Sequence, residues 1–436
     1  MRRFVYFTLS AGLAVAAIAS CERSATNPAE ETVISSALQK QPAPDQDMAR
    51  LGEMIFFDED LSLNGNQSCA ACHAPEWGFT GPIAAVNAAG SVYPGSVPSR
   101  FGNRKPPTSS YATPSPIFFL DGETFTGGNF WDGRATGEKL GNPAADQAQG
   151  PFLNPVEQAL RDPACVVYRV RQSSYSGLYR MVWGSDIMSI EFPEEIEAEC
   201  GGEGPPLALD AADRGLVYQE YDRIALSIAA YEASPEVNAF TSKFDASRGG
   251  GAKLSKEERR GFALFVGKAG CAKCHPARGP QPLFTDFTFD NLGVPANPEN
   301  PALIEDPSFV DLGLGGFLLT RAEYMAFYAG ELGKQKVPTL RNVDRRPFES
   351  DVKAFTHNGY FKTLEGVVHF YNTRDARPTC PGAYTEAQAL AGDCWPAPEV
   401  PQNVNRDELG NLGLTGEEED AIVAFMRTLS DGYFQN

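Results

Sequence analysis

Histidine is scarce in this 436-residue chain: there are four, His73, His275, His357 and His369. Any chemistry that needs imidazole must draw on those positions. Positive charge is also short. Lys and Arg number 37 against 56 Asp and Glu, a formal net charge of −19. No lysine- or arginine-rich run is present, which argues against a nucleic-acid partner. The acidic balance suits a basic or locally basic protein partner, and equally suits plain solubility. Long apolar runs are missing too. The most apolar stretch, Phe4 to Ala17, is too short and too closely followed by polar sequence for a confident membrane span.

That stretch reads instead as part of an export signal. Met1-Arg2-Arg3 is a short positive region, and Ile18-Ala19-Ser20-Cys21 has the form of a bacterial lipobox. An ordinary secretory signal cut near Ser20 is the alternative. The lipobox reading makes residues 1–21 a lipoprotein signal. Cys21 would then anchor a soluble protein to a membrane surface, in the periplasm or at the cell surface, the outer membrane being the expected one. Residues 22–45, rich in Ala, Pro, Glu and Gln, read as a tether.

What the chain does have is nine cysteines, and their placement is specific. Cys69-Ala-Ala-Cys72-His73 and Cys271-Ala-Lys-Cys274-His275 each match the attachment signature of a c-type haem. Two thiols add across the vinyl groups, and the adjacent imidazole ligates iron. A redox dithiol or a four-cysteine zinc site would use Cys-x-x-Cys as well. Neither requires a histidine directly after the second cysteine. Haem attachment outside the bacterial cytoplasm agrees with export. Cys165, Cys200, Cys380 and Cys394 remain as two local pairs. In an oxidising compartment they are expected to form disulfides Cys165–Cys200 and Cys380–Cys394.

Ser247-Arg-Gly-Gly-Gly-Ala-Lys253 reads as a flexible break. It divides an N-terminal haem domain, 46–247, from a C-terminal one, 254–436. Apolar periodicity predicts helices over Met48 to Phe57 and Tyr218 to Tyr231. Capping boxes at Ser255-Lys-Glu-Glu258 and Thr415-Gly-Glu-Glu418 open two more, through Phe265 and Leu429. Much of the rest is loop, with 33 prolines and 42 glycines. The fold class expected is mostly α: two cytochrome c-like haem domains with long irregular loops.

The order of motifs carries a resemblance. Leu51 to Ser62 precedes the first haem motif. Phe130-Trp131-Asp132-Gly133-Arg134 and Gly150-Pro151-Phe-Leu-Asn154-Pro155-Val-Glu157 follow it. Val337-Pro338-Thr339-Leu340-Arg341-Asn342-Val343 and His357-Asn358-Gly359 lie beyond the second. This order resembles the bacterial dihaem cytochrome c peroxidases and their MauG-type relatives.

The resemblance implies two covalently bound haem c groups with different work. His73 would be the proximal ligand of the peroxide haem, and His275 that of the electron-relay haem. Glu157 aligns with the distal acid–base glutamate, and Gln147 and Pro151 match other distal-pocket positions. Trp131 matches the tryptophan between the haems. Many of the peroxidases carry a blocking histidine in the loop after the first haem motif. Residues 74–130 hold none, so the first haem is expected to be open to peroxide. The second haem's sixth ligand stands fourteen residues after the histidine of the His-x-Gly motif. Here that position is Tyr371, as in MauG-type enzymes, where the peroxidases have methionine. Met325 and His369 are the alternative ligands. His357 is expected to bond a haem propionate or to order the seam between domains. Calcium, held between domains in this family, is doubtful. Arg104-Lys105-Pro106-Pro107-Thr108 puts a lysine where an asparagine ligand is usual, and its ammonium could take over the ion's electrostatic role.

The function implied is a MauG-like peroxidase-type oxidoreductase. It would use hydrogen peroxide to form a high-valent two-haem state that oxidises aromatic residues of a secreted partner protein. The alternative is a cytochrome c peroxidase that reduces hydrogen peroxide with electrons from a small cytochrome c or cupredoxin. A dihaem electron carrier without enzymatic activity would have no use for Glu157 or an open first haem.

Overall fold

The computed structural model describes residues 45–433; the expected signal peptide, lipobox with Cys21 and all but the end of the tether lie outside the described residues. Helices dominate, joined by long irregular segments, and the strands are two short antiparallel ribbons. Phe119–Asp121 pairs with Thr124–Thr126, and Phe289–Asp290 with Gln335–Lys336. The longer helices are α1 (Gln46–Phe56), α2 (Pro143–Leu153), α3 (Pro163–Gln172), α4 (Ser176–Trp183), α5 (Ala211–Glu232), α6 (Lys256–Val266), α7 (Leu364–Thr373) and α8 (Gly416–Arg427). No helix among the described residues is long and apolar enough to cross a membrane.

All four helices expected from periodicity or capping boxes are present. Both capping boxes form: the Ser255 and Thr415 side chains accept from the main-chain N–H of Glu258 and Glu418, whose carboxylates reach back. Helices α2 and α3 were not anticipated. Each opens with Pro at its first turn behind a capping side chain, Asn142 or Asp162, which is a start signal.

The two largest apolar cores among the described residues each lie under one haem motif. The first gathers Leu51, Ile55, Phe56, Phe152, Val166, Ile224, Ile228 and Tyr231. The second gathers Phe244, Phe265, Phe284, Phe361, Phe370, Ile422 and Phe425. Phe244 precedes the glycine run yet packs in the second core. The chain therefore leaves the first core near Val237, ahead of the flexible stretch.

The two cores are built on the same crossing. In α1, a Cβ on Gly52 would lie 1.8 Å from the carbonyl oxygen of Ser227 and 3.0 Å from Cβ of Tyr231, both on α5. In α6, a Cβ on Gly261 would lie 1.8 Å from that of Ala421 and 2.9 Å from Cβ of Phe425, both on α8. Helix axes this close tolerate no side chain at the contact. The glycines are helix-unfavourable by about 1 kcal/mol, and the packing they permit offsets it. Disulfides Cys165–Cys200 and Cys380–Cys394 are both formed, one beside each core.

Candidate active site

Each haem motif begins in a tight 3-10 turn, Cys69–Ala71 and Cys271–Lys273. The turn closes when the histidine N–H donates to the first cysteine's carbonyl, His73 to Cys69 at 3.0 Å and His275 to Cys271 at 2.9 Å. Each imidazole is then pinned by its Nδ1. His73 Nδ1 lies 3.2 Å from the Phe79 carbonyl oxygen and 3.3 Å from Ser109 Oγ. His275 Nδ1 lies 2.8 Å from the Phe284 carbonyl oxygen. Phe79 and Phe284 both hold positive φ, 58° and 54°, which turns their carbonyls under the rings. A carbonyl only accepts, so Nδ1 carries the proton and Nε2 keeps its lone pair. Burial pushes both imidazoles down to about 4, which keeps them neutral and able to ligate.

The first motif opens into a cavity of about 320 Å³. Cys69, Cys72, His73, Trp131, Gln147, Pro151 and Glu157 all line it. His73 is the one histidine among those lining residues. Gln147 and Pro151 sit four residues apart on α2, on one helical face. Glu157 follows in the loop that ends this helix. Its N–H donates to the Asn154 carbonyl (2.9 Å), and its own carbonyl accepts from Ser96 N–H (2.7 Å). Gly95 lets the strands of this loop touch, since a Cβ there would lie 2.5 Å from the Val156 carbonyl oxygen. Burial raises the Glu157 carboxyl above its ordinary range, and the Arg134 cation and the Asn154 side chain pull it partly back.

The second motif opens into a cavity of about 150 Å³, lined by Cys271, Cys274, His275, Tyr371 and His357. Tyr371 projects from α7. Its phenol is pushed up, first by burial and then by the nearby Asp290 carboxylate. The Arg374 charge favours the phenolate but is outweighed, and a cation in the cavity would favour it further. His357 Nε2 is buried with no hydrogen-bond partner. Glu399 stands 3.5 Å from it. Such an orphaned group in a cavity fits a bound acceptor such as a propionate. His369 lies outside both cavities and bonds the Glu419 carboxylate at 3.0 Å. Met325 is 49% exposed and lines neither. Of the three candidates for a sixth ligand, Tyr371 is the one at the cavity.

Trp131 lines both cavities. Its indole N–H donates to the Lys105 carbonyl (2.9 Å), and its own carbonyl accepts from Lys336 N–H (2.7 Å). Asp132, the next residue, pairs with Arg104, which also forks onto Asp311 through two bonds of 2.6 Å. The tryptophan is thereby fixed to both halves. Paired thiols, a neutral imidazole and an apolar cavity on each side are the donor set that a covalently attached haem requires.

A family model described as di-haem cytochrome c peroxidase matches residues 46–253. Over 410 residues, 92% of each chain, the sequence is 33% identical to methylamine utilization protein MauG of Paracoccus denitrificans. The chain belongs to the di-haem cytochrome c peroxidase/MauG family. It is also 27% identical to cytochrome-c peroxidase IdrP1 of Denitromonas iodatirespirans over 96% of this chain and 92% of that one. Its fold is similar to the crystal structure of the diheme peroxidase BthA from Burkholderia thailandensis, with a TM-score of 0.66 at 27% identity, covering 89% and 87% of the two chains. Family membership makes it an oxidoreductase and brings two haem c groups.

Two groups at the first cavity of this family member escaped the sequence reading. Glu232, the last residue of α5, lines it, and burial lifts its carboxyl to about 8. Lys336 lines both cavities with its ammonium bonded to Ser115 Oγ at 2.7 Å and Asn129 Oδ1 at 3.0 Å. Neither stands in a motif, and a charged residue on a helix end or short strand reads as surface.

Proposed function

We propose that this oxidoreductase uses hydrogen peroxide to oxidise aromatic side chains of a secreted partner protein, in the manner of the MauG-like branch. Tyr371 in the second cavity carries the reading. A phenolate is a hard anionic donor that favours higher-valent iron, whereas the thioether of a methionine favours the reduced state. Cys69, Cys72 and His73 would hold one haem, and Cys271, Cys274, His275 and Tyr371 the other. Bound there, the haems would supply the redox-active iron, one centre to meet peroxide and one to share the oxidising equivalents.

The chain's own part is proton handling, access and conduction. Glu157 Oε would accept a proton from one peroxide oxygen and return it to the other, which would leave as water. Burial raises the Glu157 carboxyl above the ordinary range, which strengthens it as a base. The first cavity offers no second histidine to block the open face. Trp131 spans the two cavities and gives electrons a path between them. Electrons enter from an aromatic side chain of the partner, whose released protons pass to solvent. The two disulfides support an exported location, and Cys21 would tether the protein at the periplasmic or cell-surface side of a membrane.

The test is the absorption spectrum of the diferric protein before and after peroxide. Both haem bands should change without added reductant, and the changed state should persist. A reaction that needs prior one-electron reduction would sink the proposal. IdrP1, similar over almost the whole length, is named a cytochrome-c peroxidase. Fast turnover with reduced small cytochrome c or cupredoxin would favour that second reading.

A further inference from the structure

Lys353 is 3% exposed, and its hydrogen-bond acceptors are three main-chain carbonyls. Nζ lies 2.9 Å from Trp77 O, 2.9 Å from Asn342 O and 2.8 Å from Arg345 O. These oxygens come from both halves of the chain. Three convergent carbonyls are a cation's donor set, hard and uncharged. Burial first, then the charges of Lys105, Arg346 and Arg345, push the Lys353 ammonium well below the usual lysine range, and the Asp344 carboxylate opposes them. The cage opposes that push. A neutral amine has two N–H groups and would turn its lone pair on the third carbonyl, so the geometry calls for the ammonium with its three donors.

A second lysine stands by, its ammonium pushed down to about 7 by burial. Lys105, 7% exposed, donates from Nζ to Thr80 Oγ1 (2.9 Å) and to the Pro106 carbonyl (3.0 Å), and its charge is felt at Lys353. Its main-chain N–H donates to the His357 carbonyl at 2.7 Å. The same seam is where the sequence left calcium in doubt. The residues present do not fit the ion: a lysine replaces the side-chain ligand, and a second lysine fills a carbonyl cage at the same seam.

We propose that Lys353, with Lys105 beside it, is a built-in cation at the seam between the two cores, filling a carbonyl cage so that the folded protein takes no calcium there. The Lys353 ammonium takes the place of the cation, and Lys105, which burial pushes down to about 7, adds its hydrogen bonds to the same seam. Trp77 stands four residues after His73, so the clamp ties the loop beneath that imidazole to the 342–345 segment of the other half.

The experiment uses the full-length holoprotein. After dialysis against EDTA, its calcium content should be far below one per chain. Neither EDTA nor calcium chloride should move Tm, and calorimetric titration with calcium should show no stoichiometric site. One tightly held calcium per chain, or a chelator-induced fall in Tm, overturns the proposal. Lys353→Ala should lower Tm by roughly 5 °C or more, because three buried carbonyls lose their donor. Calcium chloride or ethylammonium chloride should restore part of the loss beyond sodium chloride at equal ionic strength. An unchanged Tm, or no selective recovery with either cation, counts against the cage. If this variant does not fold, the calcium content and chelator response of the unaltered protein decide alone.

Discussion

Replacing Glu157 by Gln keeps the side chain's length and volume and removes its basicity. The loop holding it is fixed by main-chain bonds on both sides, to Asn154 and from Ser96, so the amide should occupy the same place. What is lost is the transfer of one proton between the two peroxide oxygens. General acid–base catalysis of this kind is worth on the order of 10²–10⁴ in rate, or about 3–5 kcal/mol of barrier. Glu157 is half-buried and lines the cavity with its carboxyl raised, so the loss should be read there. The assay is stopped-flow absorbance of the diferric protein mixed with excess peroxide, giving a second-order constant. Carbon monoxide binding to the reduced protein is the control, because no proton moves and the same cavity is entered. The variant should lose rate with peroxide and keep its carbon monoxide kinetics. The pH profile follows from the same group. The base form is active, and burial raises its pKa, so the unaltered enzyme should slow as pH falls through a midpoint above the ordinary glutamate value. The variant should be flat there. A peroxide rate within threefold of the original, or an equal fall in carbon monoxide binding, would refute the proton-shuttle argument.

Tyr371→Met should exchange an anionic oxygen donor for a neutral thioether and raise the reduction potential of the second haem by on the order of 100 mV; an unchanged potential and spectrum would mean that another group ligates. Gly261→Ala should destabilise by about 1–3 kcal/mol or more in denaturant titration, since its Cβ would lie 1.8 Å from the Ala421 carbonyl oxygen. Gly215→Ala on α5, where the added methyl meets nothing, should be neutral or stabilise by about 0.5–1 kcal/mol. Equal effects at the two sites would show that the close helix crossing does not govern stability.

The haem-bearing residues were legible because their chemistry demands contiguous letters. Two thiols and an imidazole must reach one ring, and Cys-x-x-Cys-His does that within a single turn. Glu157, Trp131 and Tyr371 were legible through order, each fixed by distance from a motif, and the fold brings each to a cavity wall. Helices α1, α5, α6 and α8 showed themselves through apolar periodicity or capping boxes. Helix α2 hid because Pro151 sits inside it and glycine and alanine dilute its apolar stripe. The Lys353 cage was out of reach for a different reason. Its partners are main-chain carbonyls, which every residue has, and one of them belongs to Trp77, 276 positions away. A lysine's letter says nothing about whether three carbonyls will meet it. His357 was expected to bond a propionate or order the seam between domains, but its neighbours Asp311 and Glu399 come from segments with no motif of their own.

The paired crossings at Gly52 and Gly261, each with an aromatic residue one turn beyond the touching carbonyl, have a consequence for assembly. They mark two copies of one building plan in a single polypeptide. As separate proteins, such copies would meet only at their dilute concentrations. Joined by one short linker, they face each other at an effective concentration in the millimolar range, always in a one-to-one ratio. That fixed partnership frees each copy to specialise. One keeps the acid for peroxide, the other the phenol, and neither has to remain competent alone.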